Sequence, residues 1–276
     1  MAAESYLWLK RVNDLPPFSP VVQEAMDLLN DERSNAEEVA LALSRDEAIT
    51  AKILSTVNSA FYGVRGKVST VSHAVAILGY DQLRMLMMGV ALFEQGHARD
   101  PLVRRNRGRI WAHSATSSRW GQELARATRY VSVEEAAVAA LLHDVGKIVL
   151  GNAAPREFAS TLAMSDREGV PSCEAEERAV GISHVEVGAM VAEKWRFPSR
   201  LRQAIALHHA PWPPALAPDE PDPARVRHLL AVVCVANWAA RESASEASSD
   251  PSSPFTVAIT PEELVHRLHQ MDDLLS

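Results

Sequence analysis

Residues 134–150, EEAAVAALLHDVGKIVL, decide the fold. Small and branched apolar residues fill the stretch, and Ala137, Leu141, Val145 and Ile148 recur at three- and four-residue steps, which predicts a core helix. Into this helix the sequence sets two adjacent polar residues, His143 and Asp144. Buried polar groups need partners, because an unpaired charge in an apolar interior is costly. Two readings supply them. In one, His143 hydrogen-bonds a carbonyl and Asp144 pairs with a nearby Arg or Lys. In the other, imidazole nitrogen and carboxylate oxygen together hold a divalent metal such as iron, manganese, zinc or nickel.

Further histidines favour the second reading. His113 lies in RIWAHSAT, His184 follows an expected N-cap, and His208 and His209 precede a proline-rich stop. Lys147, one turn beyond His143, is placed either to meet a phosphate oxygen bound at a metal or to be an ordinary solvated lysine. His73, His97, His228, His266 and His269 fall outside this grouping and read as surface or hydrogen-bonding residues.

The rest of the chain also reads as helix, with no alternating strand pattern, so the fold class is all-α. Capping boxes are expected at Ser34 with Glu37, Ser132 with Glu135, Ser183 with Glu186, and Thr260 with Glu263. Residues 1–98 read as five or six short helices with stops at Asn30, Gly63, Gly66 and Gly79, and apolar steps at Val22, Met26 and Leu29, then Ile49, Ile53, Leu54 and Val57.

The arginine-rich run ARDPLVRRNRGRI, with Arg99, Arg104, Arg105, Arg107 and Arg109, marks the boundary, and the next helix is expected near Ile110. Residues 99–240 form the second helical part, interrupted by the prolines between Pro211 and Pro223. Residues 241–276 read as a Ser-rich linker, SASEASSDPSSP, followed by an amphipathic helix with Leu264, Leu268, Met271 and Leu275.

Composition bounds the function. With 276 residues, 47% of them hydrophobic, the chain can bury a core without staples. Cys173 and Cys234 lie far apart, which argues against a disulfide framework or a cysteine-based zinc site and fits a reducing cytoplasm. MAAESYLWLKR lacks a signal-peptide pattern and no run is read as a membrane span. A net charge of −7 argues against a surface that tracks nucleic acid throughout. A local role for the arginine run is a minor reading, because no aromatic residue interleaves it before Trp111.

Several separated motifs, in order, resemble one family. LPPFSPVV, ITAKILSTVNSAFYG with Asn58, Ser59 and Ala60, and VSHAVAILGYDQLR resemble the first half of the HDOD family, the HD-related output domains. WAHS, LLHDVGK, GISHVEVGAMVAEKWRFP and ALHH continue the match, so the resemblance spans residues 10 to 240. It implies an all-helical fold in which a helical N-terminal subdomain packs on a divergent HD-domain-like bundle. It also implies a regulatory role in bacterial signal transduction, exerted on a signalling partner protein or through a small nucleotide.

The second half is also similar to the HD-GYP phosphodiesterases, which cleave cyclic di-GMP. That similarity implies His113, His143, Asp144, His184, His208 and His209 as metal ligands. Three departures stand against the same activity here. VCVANWAA places Asn237 where an acidic ligand belongs, Arg109 stands where some of those enzymes carry a glutamate, and APWPPALAP replaces the glycine-rich GYP loop after His209. The expectation is a regulatory module without phosphodiesterase activity, with a metal-dependent phosphohydrolase as the alternative.

Overall fold

The computed structural model describes residues 7–8, 10–12, 18–31, 33–58, 68–94, 101–248 and 261–273, and among them there is no strand. The chain divides into two compact units, residues 16–97 and residues 1–15 with 98–276.

The 16–97 unit contains α1 (Pro20–Asn30), α2 (Ala36–Leu43), α3 (Glu47–Asn58) and α4 (Val71–Glu94). α1 starts on Ser19, whose hydroxyl accepts from Val22 N, and stops at Asn30 as expected. The expected box at Ser34 lies one residue later. Asn35 Oδ1 accepts from Glu37 N and Glu38 N, and the Glu38 carboxylate accepts from Asn35 N. Ser34 instead donates to Asp31 O, so its hydroxyl serves the preceding turn. Gly79, at φ +77, breaks α4 into two arms, a conformation glycine adopts without a Cβ penalty. Val22, Met26, Leu29, Ile49, Ile53 and Val57 are buried, and Leu54 is half-buried. Asn58 ties the end of α3 to the approach to α4, accepting from Val68 N at 2.6 Å and donating to Leu54 O at 2.9 Å. Ser59, Ala60, Gly63, Gly66 and Arg99 lie outside the described residues.

The second unit contains α5 (Pro101–Thr128), α6 (Val133–Leu142), α7 (Val145–Ala153), α8 (Pro155–Glu168), α9 (Ser172–Val180), α10 (His184–Lys194), α11 (Ser199–Leu207), α12 (Pro223–Ser248) and α13 (Pro261–Asp273). α5 starts at Pro101, well before Ile110, so Arg104 and Arg105 are exposed helical residues rather than part of a linker. Arg109 pairs with Asp166 at 2.9 Å.

The decisive stretch is not one helix. His143 and Asp144 form the turn between α6 and α7. Asp144, at φ −96 and ψ 16, leaves helical geometry, and the break frees the Ala140 carbonyl for the His143 ring. Ala137, Leu141, Val145 and Ile148 are buried as expected, but every residue of Ala136–Leu142 is buried too, so beyond its first turn α6 has no solvent face.

Two segments, Val71–Ala91 and Val133–Ala153, are long and apolar enough to cross a membrane, contrary to the expectation of none. Both are mostly buried inside the fold, and the Gly79 break and the His143–Asp144 turn interrupt them.

Close helix contacts set the site. α5 presents Ser118 and Gly121 to α6: Ser118 Oγ donates to Ala137 O at 2.7 Å, and a Cβ on Gly121 would lie 3.1 Å from Ala136 O. α12 packs on α5, and α7 on α10. α12 continues to Ser248, so the first part of the expected linker is helical. α13 packs on α12 and α5, burying Leu264 and Leu268, while Arg267 covers the Trp238 ring at 3.7 Å. Thr260 and Leu275 lie outside the described residues.

Candidate metal centre

Three helix ends and one mid-helix position deliver the predicted ligands. His113 projects from the middle of α5, His143 and Asp144 from the α6–α7 turn, His184 from the first turn of α10, and His208 and His209 from the end of α11. The box at Ser183 forms in full and fixes the start of α10: Ser183 Oγ accepts from Glu186 N, and the Glu186 carboxylate accepts from Ser183 N. At Ser132 only half forms, because Glu135 turns instead to Arg200 and Arg225.

The side chains meet around Asp144. Its Oδ2 lies 3.4 Å from both His113 Nε2 and His143 Nε2, and its Oδ1 lies 3.2 Å from His184 Nε2 and 3.5 Å from His208 Nε2. Two donor sets result, one of His113, His143 and Asp144 and one of Asp144, His184, His208 and His209. Asp144 belongs to both. His143, Asp144, His184 and His208 are buried, and His209 is exposed at the rim.

The Nδ1 atoms of three rings are anchored away from the centre. His143 Nδ1 bonds Ala140 O at 2.7 Å, His208 Nδ1 bonds Ile205 O at 2.9 Å, and His184 Nδ1 bonds Glu176 Oε2 at 2.6 Å. Such anchoring selects the tautomer that leaves Nε2 free for a metal. His143 Nε2 and Asp144 Oδ1 are both buried without a well-directed hydrogen bond. Orphaned buried donors and acceptors that face one space are what a divalent ion would satisfy, so the residues fit a metal.

Electrostatics agree. Burial pushes the His143 and His208 pKa values down, against the pull of Asp144, and pushes His113 down to about 4. Neutral imidazoles are the ligand form. Burial alone would favour a neutral Asp144, yet His143, Lys147 and His184 beside it hold its pKa well below the usual carboxylate range. His184 goes the other way: burial and Lys147 disfavour its charge, but Glu176 and Asp144 raise it to about 10.

Lys147 is half-buried, and its Nζ sits on Asp144 Oδ2 at 2.7 Å, so it is not an ordinary solvated lysine. Asn237, buried on α12, places Oδ1 3.0 Å from His113 Nε2. Arg109 is engaged with Asp166.

Sequence reasoning missed two neighbours. Glu176 is buried and accepts from both His184 N, at 2.7 Å, and His184 Nδ1. Cys173 Sγ lies 3.9 Å from the same Nδ1, which makes Cys173, Glu176 and His184 a third donor grouping. Both precede α10 by more than two helical turns, and no periodicity marks them.

An all-helical bundle with a histidine and aspartate centre at its helix junctions defines an HD-type protein. The chain belongs to the HDOD family, whose HDOD domain profile matches residues 15–211. Its fold is similar to that of a Shewanella amazonensis protein provisionally named a phosphohydrolase, at 22% identity, TM-score 0.63 and 98% coverage of both chains. It is also similar to an HDOD domain protein with unknown function from Geobacter sulfurreducens, at 24% identity and TM-score 0.60, covering 99% of this chain and 91% of that one. An uncharacterized protein of Treponema pallidum (strain Nichols) is 24% identical over 233 residues. That match covers 84% of this chain but 43% of the relative, so the chain spans less than half of the relative's length.

Proposed function

We propose that this chain is a regulatory signal-transduction module that binds a partner protein or a small ligand such as a nucleotide in the cytoplasm. Its His–Asp cluster holds a divalent metal as a structural or sensing element, without phosphodiesterase activity. The charge balance at Asp144 carries this reading. Asp144 is the carboxylate common to both donor sets, and Lys147 already pairs with it. Asn237 offers a neutral amide where a further carboxylate would help hold a second ion. Within the two donor sets, two divalent cations would face one shared and already paired carboxylate, and the other buried carboxylate, Glu176, lies behind His184 on its Nδ1, so positive charge at the centre is poorly compensated.

A second reading, a metal-dependent phosphohydrolase, is favoured by the sharing of Asp144 between two donor sets, the layout of a two-metal hydrolase. His113, His143, Asp144, His184, His208 and His209 would then hold the metal, which when bound would polarise a phosphoryl oxygen and acidify a water. Lys147 would orient the substrate phosphate.

Metal analysis of the purified chain beside His143→Ala, with turnover of bis(p-nitrophenyl) phosphate and cyclic di-GMP, separates the two. About one metal per chain, lost in His143→Ala, with turnover far below about 1 per second, supports the regulatory module. About two metals per chain, with enzyme-like turnover lost in His143→Ala, overturns it in favour of the hydrolase.

A further inference from the structure

At the far end of α6 from His143, the connection from α5 borders an open cleft of about 580 Å3. Its size falls within the range of small-molecule sites. Arg126, Arg129, Tyr130, Ser132, Glu134 and Arg225 contribute to its lining. Arg126, Arg129 and Arg225 thus share the lining with Glu134.

The arginines are not equally committed. Arg126 donates to Glu123 at 2.8 Å and Gln122 at 3.1 Å, and Arg225 donates to Glu135 at 3.0 Å. Arg225 Nε is buried and has no hydrogen-bond partner. Arg129 is exposed, and its guanidinium pairs with no carboxylate among the described residues. The Tyr130 ring is stacked on His228 at 4.4 Å between centroids, which fixes one wall.

We propose that this cleft is a binding site for a phosphate-bearing small molecule. The planar fork of a guanidinium matches phosphate oxygens, and the cleft retains donors that its carboxylates do not occupy, at Arg129 and at Arg225 Nε. A phosphate dianion would pair with Arg129, the lining guanidinium with no carboxylate partner among the described residues, and offer an acceptor to the unsatisfied Arg225 Nε. The site bears on the centre through α6, which begins at Val133 in the cleft and ends one residue before His143. Its ten residues span about 15 Å. A ligand that orders residues 129–132 thus acts on the helix that positions His143. The proposal is independent of whether the His–Asp cluster holds a metal.

The test is calorimetric titration of the full chain, freed of metal with chelator, with inorganic phosphate, GMP and uncharged guanosine. Metal removal prevents the anions from binding at a metal. Both anions are expected to bind, weakening as salt rises, while guanosine does not. Arg129→Asn, chosen because asparagine tolerates the positive φ of 58° there, and Arg126→Gln should each weaken binding about tenfold or more. Arg104→Ala, outside the cleft, should leave it unchanged. Equal affinity for phosphate and GMP identifies the ion itself as ligand, and tighter GMP identifies a nucleotide. No binding of either anion at about 5 mM, binding unaltered in both cleft variants, or guanosine bound as tightly as GMP overturns the proposal. That failure would leave the metal analysis above unaffected.

Discussion

A Cβ on Gly146 would stand 2.0 Å from the carbonyl oxygen of His184 and 2.7 Å from Gly188 N. The α7–α10 crossing is therefore a backbone-to-backbone contact, and it brings His184 to Asp144. Gly146→Ala must push the two helices apart. It is expected to cost about 3 kcal/mol or more in urea denaturation and to reduce metal retention. Gly108→Ala is the contrast: nothing lies within 4 Å of a Cβ there. In an exposed helix interior it should stabilise by up to about 1 kcal/mol. A neutral Gly146→Ala would contradict the backbone-to-backbone crossing.

The same crossing shows what the sequence made legible. Helical periodicity marked the core positions of 134–150, and residue chemistry marked each histidine that meets Asp144. Periodicity could not see the turn at His143–Asp144, because the apolar pattern continues through it and a buried helix carries no polar face to register a break. Glu176 was illegible for another reason: it sits beside Glu177 in an exposed-looking acidic run, and only the packing of α9 turns it inward to His184. Ser34 attracted the capping assignment because Glu37 follows it at box spacing, yet Asn35 with Glu38 satisfies the same pattern one residue on.

Glu176 should behave as a positioning residue for His184. Glu176→Ala is expected to lower metal affinity about 10- to 100-fold, with Glu176→Gln retaining part of it. In the metal-free chain His184 is protonated at neutral pH, since Glu176 and Asp144 outweigh burial and raise its pKa to about 10. Its contribution to stability is complete below the unfolded value near 6.5 and is lost as pH rises through about 10. A metal at Nε2 must displace that proton. Calorimetry in buffers of different ionisation enthalpy should therefore show proton release on metal binding, reduced in Glu176→Ala.

Cys234 is expected to resist alkylation in the folded chain. Burial raises its pKa to about 12, and Sγ donates to His208 O at 3.3 Å. The nucleophile is the thiolate, so at pH 8 the folded protein offers almost none at this position. Mass spectrometry after iodoacetamide should find Cys234 unmodified until urea unfolds the chain. Cys234 is half-buried, so labelling without denaturant at the rate of an unfolded thiol would contradict the raised pKa rather than its exposure.

Asn237→Asp tests the charge balance directly. The substitution keeps the shape beside His113 Nε2 but adds a carboxylate close to Asp144. Without metal, the two carboxylates repel across a buried site that has Lys147 as its ammonium partner, so the melting temperature in chelator should fall. With a divalent cation the sign reverses: the new ligand adds charge to the metal, affinity should rise about tenfold or more, and the metal-induced gain in melting temperature should exceed that of the parent. Turnover gained together with the second metal would show that the amide at 237 holds the site silent. An unchanged metal affinity would mean that His113 and Asn237 stand apart from the centre, and the charge argument for a non-hydrolytic module would lose its footing.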